Sequence, residues 1–293
     1  MVGEARTEES VDISWQEAWP DRETIRAEVE AFVGVVHDVL METIEQGTLR
    51  GLYYKGSAVK IWDSALDYVP EISDVDFHVW LKSDEDVDAA FGSLDLAFEL
   101  QRKLECVYLD RVVSPEHYPR PQFVIMNKLV AGPDYAPPAP HLVRVLAGEP
   151  SRSATYDEAA MRQTDCKMAL SQEAYVRKLP SSVIDKPGRL VWDSLRNLCF
   201  RVSPAGPRAL HLLGAPAEIA WEGNRTRIHS ELLQLGQTGL VGAYAEYYLS
   251  GWAYFLSDWR DADAGRRAIR FGIEVLMMTA DVARQWLAEQ DSG

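Results

Sequence analysis

The period of the apolar pattern changes once along this chain, and that change limits what it can fold into. Val75, Phe77, Val79 and Leu81 alternate with Asp74, Asp76, His78 and Trp80, the two-residue period of a strand with one face in a core. Beyond the proline-rich stretch GPDYAPPAPH the period is helical, over 156–179, 187–202, 207–213, 217–235, 238–258 and 262–289. The breaks between these segments fall at PSS, SPAGP, GAP, GQTG and SDWRDADAG, where glycine and proline punctuate helices. The expected fold class is α+β: a mixed β-sheet with flanking helices, followed by an all-helical domain. The expected boundaries are a polar leader at 1–20, the sheet domain at 21–150 and the helical domain at 151–293.

Within the first part, Asp21 can cap a helix that keeps Ile25, Val29, Phe32, Val36 and Leu40 on one side and ends near Gly47 or Gly51. A short strand, LYYK, runs into Gly56-Ser57. Ser83 and Asp84 begin a second helix that should bury Val87, Phe91, Leu94 and Phe98. CVYLDRVV and QFVIMNKLV read as the next strands, separated by the loop SPEHYPRP. The prolines of GPDYAPPAPH fit neither a helix interior nor a central strand, so that stretch reads as a connector.

The chain of 293 residues is 47% hydrophobic and 26% charged, the balance of an ordinary soluble protein. Its formal net charge of −15 repels phosphate backbones and counts against duplex nucleic acid as a partner. The same field would draw cationic small molecules or basic proteins, besides keeping the protein in solution. Cys106, Cys166 and Cys199 are odd in number, widely spaced and without a CxxC pair, which fits a reducing compartment. MVGEARTEESVDIS has no apolar core of a signal peptide, and no window offers the roughly 18 apolar residues of a membrane span. A cytoplasmic protein without a membrane partner is expected.

Asp74 and Asp76 lie on the same face of their strand, about 6.5–7 Å apart at the α-carbons. Two carboxylates so placed repel each other and need a cation. Mg²⁺ takes one or two carboxylates together with substrate phosphates. Gly56-Ser57 offers the complement: a glycine lets the backbone approach a phosphate, a following helix N-terminus would aim N–H groups at it, and the Ser57 hydroxyl can donate to it.

Gly56-Ser57 followed by Ser73-Asp74-Val75-Asp76 resembles the signature of the DNA polymerase beta-like nucleotidyltransferase superfamily. The likeness spans residues 52 to 81, with a gap between Ser57 and Asp74 that is long for the family, as if DSALDYVPE were a small insertion. The resemblance implies a metal-dependent enzyme that moves a nucleoside monophosphate from an NTP, ATP foremost, to a hydroxyl. Mg²⁺ or Mn²⁺ would sit on Asp74 and Asp76, and Gly56, Ser57, Lys60 and Lys167 would contact the nucleotide, with Lys55, Arg177 and Lys178 as further basic candidates. The acidic charge and the helical second domain are similar to the small-molecule branch, which includes antibiotic nucleotidyltransferases. A protein- or RNA-modifying toxin-like enzyme and a nucleotide-binding protein with weakened turnover are the alternatives.

The family's third carboxylate is the open point. Gln122 best fits its position, and an amide can neither take a proton nor bind Mg²⁺ as a carboxylate does. Asp110 supplies the missing acid if 106–113 is the neighbouring strand, and Asn127 is a third possibility. Glu173 or Glu246 from the helices could serve as the base instead. His78 shares the Asp74/Asp76 face. Asn224 reads as a helix cap and Arg225 as an interdomain ion pair, with His229 nearby; Tyr244, Tyr247, Tyr248, Trp252, Tyr254 and Phe255 form an aromatic stripe that reads as bundle core.

Overall fold

The computed structural model describes residues 11–45, 47–130, 132, 138–151 and 157–292. Residues 133–137, half of the expected connector, lie outside them. Helix α1 (Arg22–Thr43) begins where Asp21 accepts a hydrogen bond from the Thr24 amide, and strand β1 (Leu49–Lys55) follows. Then come β2 (Asp74–Leu81), α2 (Asp84–Phe91), α3 (Leu94–Arg111), β3 (Arg120–Ile125), the single turn α4 (Met126–Leu129) and β4 (Arg144–Gly148). The sheet order is β3-β2-β1-β4, with β1 antiparallel to β2 and β4, and β2 parallel to β3. The parallel pair needs a crossover, and α2 with α3 provides it. Pro121 is tolerated in β3 because that strand is at the sheet edge.

One face of the sheet is core. Val75, Phe77, Val79, Leu52 and Tyr54 are buried against Phe32, Val36 and Leu40 of α1 and Leu100, Leu104 and Tyr108 of α3. The other face carries Asp74, Asp76 and His78.

Three local expectations are corrected here, the first being that QFVIMNKLV is strand only as far as Ile125, with Met126–Leu129 turning into α4. CVYLDRVV is the end of helix α3, not a strand: Leu100, Leu104 and Tyr108 repeat every four residues and are the positions α3 buries. The Ser83-capped helix stops at Phe91, because Gly92 and the new cap Ser93 restart it as α3 in a different phase; Leu94 and Phe98 consequently face solvent. Strand β4, in the sequence RVLAG, had no counterpart in the sequence reading.

The helical half comprises α5 (Glu158–Val183), α6 (Val191–Val202), α7 (Ala205–Leu212), α8 (Ala217–Glu222), α9 (Arg225–Gln234), α10 (Thr238–Leu256) and α11 (Ala262–Ser292). Its core is built on Leu195, Leu198, Tyr244, Tyr247, Tyr248, Trp252 and Val275, so the aromatic stripe is interior. The apparent insertion between Ser57 and Asp74 has a structural role. Ala65, Leu66, Val69 and Ile72 belong to this helical core, and Trp252 Nε1 donates to the Ala65 carbonyl at 2.8 Å.

Residues 11–20 are also more than a polar leader. Trp19 stacks on Trp252 at 4.6 Å, and Trp15 meets Trp252 edge-on at 4.9 Å while lying parallel to Trp62 at 6.5 Å. Aromatic pairs of this geometry contribute about 0.5–1.5 kcal/mol each beyond the area they bury. They staple the segment before α1 across both cores. Among the described residues no helix is long and apolar enough to cross a membrane.

Candidate nucleotide site

The polar face of the sheet opens on a cavity of about 930 Å³ whose opposite wall comes from the helical half. That volume is within the range of small-molecule sites. Gly56, Ser57, Lys55, Lys60, Asp74, Asp76, His78 and Gln122 all line it.

Gly56 follows directly on β1 and has φ +90° and ψ −161°, a conformation essentially reserved for glycine. A Cβ at this position would collide with the Asp76 carboxylate, so the turn and the acid are in close approach. Register explains the proximity, since Lys55 pairs with Asp76 across β1 and β2. The α-helix expected after Gly-Ser is only the 3-10 turn Ser57–Val59. Whatever the turn offers an anion therefore comes from the Ser57 hydroxyl and nearby cations more than from a helix dipole.

Burial raises the pKa of both acids. For Asp74 it reaches about 6, with the neighbouring Asp76 adding to the effect and Arg120 opposing it. Asp76 is raised by burial as well, opposed by Lys55, Arg120 and Arg225. Arg120, which sits opposite Asp74 in the β2–β3 register, ion-pairs with it. The same guanidinium donates to the carbonyls of Glu71 at 2.9 Å and Ile72 at 2.8 Å, fixing the entry to β2. His78 is held neutral, its pKa pushed down to about 3 by burial and by Lys55.

Gln122 is the Cα partner of Asp76 on the parallel strand β3. It stands beside the paired acids on the neighbouring strand. Asp110 does not: it is exposed in the last turn of α3 and away from the cavity. Asn127 is in α4, where it clasps the end of β2 through the Leu81 amide and carbonyl, both at 3.1 Å. Lys167, Arg177 and Lys178 are exposed on α5 and do not line the cavity. Glu173 pairs with Arg284 at the surface, and Glu246 and His229 also lie outside the cavity lining.

The two Asp residues and the Gln122 amide fit one divalent cation that arrives with phosphate ligands, and two crowded buried carboxylates would be relieved by it. They do not supply the carboxylates of a two-ion site. Among the described residues no three His, Cys, Asp or Glu side chains are grouped to hold a metal.

The sequence reading missed the contributions of the helical wall. Arg225 is buried, and rather than the expected ion pair it makes hydrogen bonds to the carbonyls of Leu66 (2.9 Å) and Asp67 (3.1 Å) and to the hydroxyls of Ser73 (3.0 Å) and Ser57 (3.3 Å). It also lies over the Tyr248 ring, 4.4 Å from the centroid. Asn224 caps α9 as expected, accepting from the Arg227 amide. Thr226 then reaches Asp67 through both its amide (3.0 Å) and its hydroxyl (2.6 Å). Asn224-Arg225-Thr226 is thus a clasp on the loop that carries Ser57 and leads into Asp74.

Lys60 completes the junction, its Nζ donating to the carbonyls of Trp221 at 3.0 Å and Gly223 at 2.7 Å. Burial and the nearby Arg225 lower its pKa to about 8. Farther along the wall, Asp165 accepts from His211 at 2.7 Å and Trp221 at 3.2 Å, and the other His211 nitrogen faces Glu158 at 3.0 Å.

Comparison with protein-family models, with curated proteins and with solved structures finds no match for this chain.

Proposed function

We propose that the cavity binds a nucleoside triphosphate and that the protein is a metal-dependent nucleotidyltransferase acting on a hydroxyl of a small molecule. The observation that carries this reading is the close approach of the Gly56-Ser57 turn to Asp76, with Asp74 beside it, in a cleft between the sheet and the helical wall. Ser57 would donate to a phosphate oxygen, and Lys55 and Lys60 would balance phosphate charge. Asp74 and Asp76 would hold Mg²⁺, which supplies charge neutralisation at the phosphate being transferred. The acceptor hydroxyl enters between the sheet and the helical wall. Its oxygen forms a bond to the α-phosphorus as the α–β anhydride bond breaks, pyrophosphate leaves and the hydroxyl proton passes to solvent.

Gln122 favours a second reading, a nucleotide-binding protein with little or no turnover. An amide in register with Asp76 takes no proton and adds no charge for a second ion. A screen of hydroxyl acceptors for pyrophosphate release separates the two. Release that is abolished by Asp76→Asn supports the enzyme, whereas Mg·ATP binding without release by any acceptor supports the second reading.

A further inference from the structure

The helical wall carries a cation that the nucleotide reading does not use. The first turns of α5 present Asp157, Met161 and Asp165 to the cavity, each four residues after the last, and Pro204, Pro207 and Arg208 line it from the start of α7. Trp221 meets both ends of the space. Lys60 holds its backbone carbonyl, whereas its indole Nε1 donates to Asp165 at 3.2 Å and the Arg208 guanidinium lies 5.8 Å from its ring centroid.

The side chain of Arg208 is 13% exposed, and its ion-pair partner among the described residues is Asp165, whose Oδ1 is 3.6 Å from Nε and too far for a hydrogen bond. The other Asp165 oxygen is taken by His211 at 2.7 Å and by Trp221. Asp157 is committed as well, capping α5 through the Ala160 amide at 3.0 Å. Nε of Arg208 is shut off beside Asp165, whereas Nη1 and Nη2 are neither so enclosed nor bonded to any described residue. Burial lowers the pKa of this guanidinium, with Asp165 opposing, so its charge is desolvated with little compensation.

We propose that this end of the cavity binds a carboxylate on Arg208, and that the acceptor of the transfer is therefore a small hydroxylated carboxylic acid. A planar guanidinium held at its Nε edge offers its two terminal nitrogens as a fork, the match for a carboxylate bound through two parallel hydrogen bonds. Asp157 and Asp165 flank this single cation, which favours a monoanion over a dianionic phosphate. Met161, Pro204, Pro207 and Trp221 would pack against the apolar body of the acid. The net charge of −15 favours cationic ligands in general, and the fork reverses that preference locally. That this molecule is the acceptor rests on the transfer reading; that it binds at Arg208 does not.

Titration calorimetry with probes that share one phenolic body tests this: para-hydroxyphenylpropanoate, its amide, the amine tyramine and the corresponding phosphonate. The carboxylate is expected to bind the wild-type protein about tenfold or more tightly than the amide, the difference that charge-assisted hydrogen bonds make, and more tightly than tyramine or the phosphonate. Arg208→Gln should erase the preference for carboxylate over amide. Arg208→Lys, which keeps the charge and loses the fork, should retain only part of it. Lys167→Ala, exposed on α5, should bind every probe as the wild type does. No binding of the carboxylate, equal binding of its amide, tighter binding of tyramine or the phosphonate, or a preference unchanged in Arg208→Gln would overturn the proposal. If Arg208→Gln does not fold, Arg208→Lys and the comparison among probes in the wild type still decide. If Mg·ATP binds and the carboxylate does not, this inference fails and the nucleotide reading stands. If the carboxylate binds through Arg208 and Mg·ATP does not bind, the nucleotide reading fails and the carboxylate site stands.

Discussion

Replacing Gly56 by alanine should damage the protein in a way that identifies its neighbour. The residue sits at φ +90°, ψ −161°, where a side chain costs about 1–3 kcal/mol in backbone strain. At roughly 2–4 °C per kcal/mol, that alone lowers Tm by about 2–12 °C. The added Cβ also collides with the Asp76 carboxylate, so the loss should exceed that of Gly47→Ala, whose φ is +92° but whose Cβ would meet nothing within 4 Å. Asp76→Ala removes the carboxylate and leaves only its Cβ, 3.3 Å from the new methyl group. In a double-mutant cycle followed by urea unfolding, Gly56→Ala should therefore cost about 0.5–3 kcal/mol less in the Asp76→Ala background, the range found for residues in contact. Additive effects, agreeing to within about 0.5 kcal/mol, would refute the close approach on which the site depends.

Further outcomes follow from other contacts. Asp67→Ala removes the acceptor of four hydrogen bonds, two from amides of its own loop and two from Thr226 of α9, and should cost at least about 3 kcal/mol in urea unfolding, at about 1.5–3 kcal/mol for each bond to a charged group. Gln122→Glu adds a carboxylate in register with Asp76 and should tighten Mn²⁺ binding measured by electron paramagnetic resonance; no change in affinity would remove Gln122 from the metal site. Lys60 has its pKa lowered to about 8 by burial, with Arg225 and Lys55 adding to the effect and Asp67 and Glu222 opposing it. A depressed lysine binds its proton less tightly folded than unfolded, so its cost to stability is full below about pH 8 and is relieved as pH rises toward the ordinary lysine value. An anion bound beside it restores the charge: near pH 8–9 Mg·ATP binding should take up protons, read as a dependence of binding heat on buffer ionisation enthalpy, and Lys60→Met should abolish the uptake.

The parts of this molecule that were legible in its sequence are those specified by local period. β2 alternates without interruption, and its two faces are the core and the cavity, as the pattern implies. Asn224 and Asp21 cap helices because a short polar side chain before an apolar run has that one local use. Gln122 is singled out by the family resemblance and not by local period; the parallel pairing of β3 with β2 makes it the Cα partner of Asp76.

What was not legible depends on distance along the chain or on competition between patterns. The β-branched and aromatic residues of 106–113 suggest a strand, yet the four-residue spacing of Leu100, Leu104 and Tyr108 continues the helix through Asp110 and carries that acid away from the site. Arg120 pairs with an aspartate 46 positions earlier, and Arg225 reaches Ser57 across 168 positions. Such partners become neighbours only after the 60–73 loop packs into the helical core, a step no local window contains.

The central claim is that the face bearing Asp74 and Asp76, opposite Gly56-Ser57, is a nucleotide site. Titration calorimetry of a non-hydrolysable ATP analogue with Mg²⁺ addresses it most directly, in the wild-type protein and in Asp76→Asn. Saturable one-to-one binding is expected in the wild type, with loss of the Mg²⁺-dependent part of that affinity in a variant that remains folded. No binding to the wild type, or the same Mg²⁺-dependent affinity in both proteins, would contradict it.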